Sequence, residues 1–143
     1  MPTSAEAQQA VLVDTSVAVA VAVADHEHHA VTMRAMRGRA LGLAGHAWFE
    51  TFSVLTRLPP PARRRPVDVA KLLAHNFPHS RFLDAPTQRA LCERLAHLGV
   101  AGGAVYDSLV AAAAAHHGML LLTRDRRAVD TYRSLDVDFE IVA

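Results

Sequence analysis

Three apolar residues, Val11-Leu12-Val13, run without a polar break straight into Asp14-Thr15-Ser16. A strand with nothing polar alternating along it is buried on both faces. Such a strand needs helices above and below it, which restricts the chain to an α/β architecture with a parallel sheet. Asp14 ends the run, and Thr15 or Ser16 can cap the helix that follows. In an open parallel sheet, ligands bind outside the carboxyl ends of the strands. Asp14 is therefore both a candidate cap and a candidate site residue.

The remaining chain repeats this strand-then-helix rhythm. Short stretches at Leu41–Ala44, Ser80–Asp84, Met119–Thr123 and Asp138–Val142 read as four more strands. Helical stretches lie between them: Val17–Ala24, Asp25–Arg39, one from His46 through Trp48, Phe49, Phe52 and Leu55, Val67–Asn76, Pro86–Leu98, Val105–His117 and Asp125–Ser134. Gly38, Gly99 and Gly118 stand where helices stop. Strands separated by helices imply crossover connections and a parallel five-stranded sheet. No internal repeat or linker divides the 143 residues, so residues 11–143 read as a single domain and 1–10 as a disordered tail. Trp48, Phe49 and Phe52 share a spacing that predicts one buried face. Cys92 lies beside Leu91 and Leu95 and reads as packing.

Net charge is +1, so no overall field draws the protein to nucleic acid, and any basic contact must be local. A lone cysteine excludes an internal disulfide and fits a reducing compartment. The start of the chain has no basic segment leading an apolar one, and Val17–Ala24 is too short to cross a bilayer. The expected location is the cytoplasm, with no membrane contact.

Four acids recur at one edge of such a sheet. Asp14 follows the first strand, and Glu50 lies in the first turns of the helix after the second. Asp107 is alone in a long Ala-rich helix, and Asp125 follows the fourth strand. Each admits a purely structural role: a cap for Asp14, Asp107 or Asp125, an ion pair with Arg57 for Glu50. Jointly these roles would place four carboxylates at one edge by coincidence. Gathered carboxylates repel unless a cation lies between them, and an oxygen-only set favours Mg²⁺ or Mn²⁺. Paired metals about 4 Å apart suit phosphodiester hydrolysis. A phosphatase or receiver domain fits less well, because no second Asp stands two residues after Asp14.

Val-Asp-Thr-Ser-Val (13–17), His-Ala-Trp-Phe-Glu-Thr (46–51), Val-Tyr-Asp-Ser-Leu-Val (105–110) and Leu-Leu-Thr-Arg-Asp (121–125) together resemble the PIN-domain ribonucleases. The resemblance is nearest to the VapC-type toxins of bacterial toxin–antitoxin pairs, and Arg57-Leu58-Pro59-Pro60-Pro61 resembles a loop of their actinobacterial members. It implies a three-layer α/β/α sandwich with strand order 3-2-1-4-5. It also implies cleavage of structured RNA (tRNA or rRNA) dependent on Mg²⁺ or Mn²⁺, leaving a 5′-phosphate and a 3′-hydroxyl. The implied catalytic and metal-binding set is Asp14, Glu50, Asp107 and Asp125, with Asp14 and Asp107 on the main metal. A VapB-like antitoxin and a homodimer are the implied partners. The Ala- and Val-rich helices of residues 17–57 would receive an antitoxin segment as a helix in a groove. The alternative is a module of the same fold that binds RNA or antitoxin without cutting.

Thr15, Ser16 and Thr123 can donate to the carboxylates or to a phosphate, or act as caps. Arg63, Arg64, Arg65 and Arg124 (with Arg126) are candidate phosphate contacts. His26, His28 and His29 invite a zinc reading, with Asp25 and His29 one helical turn apart. No second ligand pair stands at recognisable spacing, so surface histidines are the simpler account.

Overall fold

A computed structural model describes residues 9–143. Of the expected N-terminal tail, residues 1–8 lie outside the described residues, and Ala10 already belongs to the first strand. The elements are β1 (Ala10–Val13), α1 (Thr15–Ala22), α2 (His29–Met36), β2 (Ala40–Leu43), α3 (Ala47–Thr56), α4 (Pro66–Asn76), α5 (Ala85–Leu98), α6 (Ala104–His116), β3 (Leu121–Thr123), α7 (Val129–Ser134) and β4 (Phe139–Ile141). The sheet is parallel throughout, in the order β2-β1-β3-β4.

β1 is the centre of this order, and its last three residues are buried. Leu12 and Val13 have no solvent exposure, and they pack into one core with Leu43, Leu55, Leu73, Phe77, Leu121 and Leu122. Each such leucine contributes about 2 kcal/mol by leaving water. The chain steps one way from β1 to β2 and the other way from β3 to β4. Right-handed crossovers therefore place α1 and α2 on one face of the sheet and α7 on the other. α1 packs against α2 and α3, and α6 against α7. The change of direction occurs at β1, and an open sheet leaves a crevice at such a point, beyond its carboxyl edge.

Four strands form instead of five. The segment expected as a strand at Ser80–Asp84 does lie beside β2, but it is joined only by isolated bridges, Gly42 with Pro78 and Ala44 with Arg81. Pro78 has no N–H to give to a ladder. The Ser80 hydroxyl takes the Leu43 N–H at 2.8 Å, where a strand would offer a carbonyl. Gly42 is needed here, because a Cβ on it would lie 2.2 Å from the His79 carbonyl. The expected order 3-2-1-4-5 thus survives as an arrangement of segments, without its outermost strand.

Other expectations need smaller corrections. The helix expected from Asp25 begins only at His29, after a turn. Asp25 and His29 are therefore not a helical pair, and the His29 Nδ1 meets the Ala20 carbonyl at 2.8 Å. Cys92 faces solvent between the buried Leu91 and Leu95. Phe49 is 63% exposed, while Trp48 and Phe52 are partly buried against the core.

Candidate active site

The four acids come from four separate segments and line one small pocket beyond the carboxyl ends of β1 and β3. Its walls are Asp14, Thr15, Ser16, Glu50, Asp107, Val110, Asp125 and Tyr132, around a cavity of about 40 Å³. That is room for a few water-sized particles. Among the described residues, the wall carries carboxylates and hydroxyls, and no thiol or imidazole.

Asp14 is the buried member, at 4% exposure. It follows β1 and caps α1, with Oδ1 accepting from the Val17 N–H at 3.3 Å. Asp14 is thus a cap, and it also lines the pocket. Oδ1 also accepts from the Ser16 hydroxyl, and Oδ2 accepts from the hydroxyls of Thr123 and Tyr132, the latter at 2.8 Å. Burial pushes the Asp14 carboxyl above its ordinary range, and the four donors pull against that shift. The helper hydroxyls are themselves held. Ser16 Oγ accepts from the Arg124 N–H at 2.7 Å, and Thr123 Oγ1 from the Asp125 N–H at 3.0 Å.

Glu50 lies in the first turn of α3, which β2 delivers to the same edge. It does not pair with Arg57. Its carboxylate accepts from Thr15 Oγ1 at 3.2 Å and lies 3.4 Å from His46 Nε2. His46 in turn stacks on Tyr106, with centroids 4.9 Å apart. Asp125 caps the short 3₁₀ turn Arg126–Ala128, accepting from the Arg127 N–H at 3.0 Å, and the Arg127 guanidinium lies 3.4 Å away.

Asp107 lies in the first turn of α6 and is not its cap, since Gly103 holds that position. Partial burial, then the charges of Asp125, Glu50 and Asp14, push its pKa up to about 6. Burial is the larger cause of this shift, and the three neighbouring carboxylates add to it. Among the described residues, no three His, Cys, Asp or Glu side chains are already drawn together around one point. The carboxylates line the pocket without converging on it, as uncompensated like charges should. The donor chemistry fits a hard divalent cation, with Asp14 and Asp107 the acids whose ionisation burial most opposes.

The basic candidates lie elsewhere. Arg63 Nε donates to the Leu58 carbonyl at 2.8 Å, Arg64 to that of Ala22 at 3.3 Å, and Arg65 pairs with Asp68 at 2.8 Å. None of the three lines the acidic pocket. The Arg124 charge is felt by His26, whose pKa burial and that charge lower, and the Arg124 Nε is buried without a partner.

Tyr132, His46 and Arg127 are the site neighbours that sequence reading does not find. Tyr132 stands 118 residues from Asp14 and looks like one more core aromatic. His46 and Arg127 carry a local signal, four and two residues from Glu50 and Asp125 respectively.

A family profile described as the PIN domain matches residues 11–134. The chain is 46% identical over 131 residues to Ribonuclease VapC27 of Mycobacterium tuberculosis, covering 92% of this chain and 96% of that protein. It is 49% identical over 131 residues to Ribonuclease VapC40 of the same species, covering 90% and 96%. Among solved structures, DNA-bound VapBC from Salmonella typhimurium superposes with a TM-score of 0.65 at 16% identity, covering 95% of this chain and 99% of that one. At that identity the likeness shows a shared fold.

Proposed function

Because the chain belongs to the PIN-domain family, with VapC ribonucleases among its relatives, we propose that it is a metal-dependent endoribonuclease toxin restrained by a VapB-like antitoxin. The observation that carries this reading is that four carboxylates from four chain segments line one pocket, with the Asp107 pKa at about 6. The substrate class is structured RNA, and the reaction is phosphodiester hydrolysis.

Asp14 and Asp107 would hold the cation, with Glu50 and Asp125 as the other carboxylates of the pocket. Mg²⁺ or Mn²⁺ bound there would offset the negative charge of a phosphodiester and of its transition state. Thr15 and His46 keep the Glu50 carboxylate turned toward the pocket. Arg127 screens Asp125 from the exposed side. Ser16 and Thr123 orient Asp14 through hydroxyls that the backbone after β3 fixes in place.

A separate groove supports the antitoxin reading. Val21, Ala30, Met33, Met36 and Leu41 line it, with Arg34 and Arg37 alongside. Met33 is 44% exposed there. An amphipathic helix with an apolar stripe and acidic flanks fits this surface.

Purified protein with Mg²⁺ or Mn²⁺ should cut tRNA or rRNA at few sites, and chelation should stop it. Asp14→Asn or Asp107→Asn should abolish cleavage while the protein stays folded. Cleavage that survives either substitution, or that needs no divalent cation, would contradict the assignment. RNA binding without any cutting would favour the binding module.

A further inference from the structure

We propose that Tyr132 is a positioning residue for Asp14: with Thr123 it clamps Oδ2 from the buried side, so that Oδ1 is the oxygen offered to a divalent cation. The inference rests on the metal-dependent reading of this same pocket. A carboxylate has about four acceptor positions. Asp14 has four donors, two on each oxygen. A cation can therefore reach Asp14 only if one donor gives way, and the two oxygens differ in how readily that happens.

Both bonds to Oδ2 are buried. Thr123 is fully buried, is not part of the pocket wall, and is pinned by the Asp125 N–H. Tyr132 also lines the pocket but is only 1% exposed, and its ring sits edge-on to Phe139 with centroids 6.1 Å apart. Burial and the nearby Asp14 charge push its phenol far above the ordinary range, so the hydroxyl keeps its proton and donates. Oδ1 has one weaker holder. The Ser16 hydroxyl is itself held by the Arg124 N–H at 2.7 Å, but the Val17 N–H is long at 3.3 Å and is the donor most easily given up. Outer groups that fix a ligand in this way typically carry a tenfold to hundredfold effect on metal affinity.

The test is calorimetric titration of the full chain with Mn²⁺, run beside cleavage assays. Tyr132→Phe keeps the ring and removes only the hydroxyl. We expect its Mn²⁺ Kd to rise about tenfold, with cleavage largely recovered at saturating Mn²⁺. A purely structural Tyr132 would lower the melting temperature yet leave the Kd at 25 °C unchanged. Should Tyr132→Phe not fold, Thr123→Val removes the other Oδ2 donor and carries the same expectation. A Tyr132→Phe Kd within twofold of wild type overturns the inference. Wild-type protein that binds Mn²⁺ and cuts RNA while Tyr132→Phe matches it removes this inference alone. Wild-type protein that does neither removes the proposed function and the inference with it.

Discussion

Asp107 shows how one residue reports its surroundings. Its pKa is raised to about 6 by partial burial and three neighbouring carboxylates. The folded chain therefore binds this proton more tightly than the unfolded chain does. Stability from this group is greatest at low pH and falls as pH climbs from the unfolded value of about 4 to the folded value. Asp107→Asn should accordingly raise the melting temperature in EDTA at pH 7.5, and the gain should vanish near pH 4. Thermal melts at the two pH values check this. Proton and cation also compete for the same oxygens. Mn²⁺ affinity of the wild type should fall about tenfold per pH unit below 6, read by titration calorimetry.

At the scale of elements, β1 and the β2 edge do different work. β1 holds the core and aims Asp14, so Leu12→Ala should cost about 3 kcal/mol in urea unfolding. The β2 edge accepts the 78–81 segment only because Gly42 has no side chain. Gly42→Ala sets a methyl against backbone that cannot rotate away, and should cost about 3 kcal/mol as well, by overpacking and not by a cavity. The missing fifth strand has the same local origin. A proline and a serine hydroxyl replace ladder bonds with bridges, so the Ser80–Asp84 segment reads as a strand but does not pair as one. Cys92 and Phe49 carry a related lesson. Helical spacing predicts that a stripe is buried, but which residues lie at its margin depends on the neighbours that cover it.

For the whole molecule, the cost of gathering the four acids should reappear as cation-linked stability. A ligand present at 100 times its Kd stabilises the folded state by about 2.7 kcal/mol, which corresponds to about 8 °C for a chain of this size. Mn²⁺ should produce such a shift in wild type and none in Asp14→Asn, measured by scanning fluorimetry. The groove between α1 and α2 is built from different residues than the acidic pocket. Met33→Glu should thus weaken a VapB-like partner at least tenfold while Mn²⁺ affinity holds, read by titrating the purified pair. Among the described residues no helix is long and apolar enough to cross a membrane.

What the sequence determined alone was whatever short stretches encode. An unbroken apolar run demanded burial on both faces, alternation with helices demanded parallel crossovers, and four motifs in order marked Asp14, Glu50, Asp107 and Asp125. Only the tertiary structure decided which donors meet those acids. Tyr132 reaches Asp14 across 118 residues, His46 displaces Arg57 as the partner of Glu50, and the arginines of the 63–65 loop bond to nearby backbone and Asp68, away from the pocket. The reason is that periodicity encodes the direction of a side chain within its own element. Hydrogen bonds form between whatever elements the packed core brings together, and that pairing has no local record.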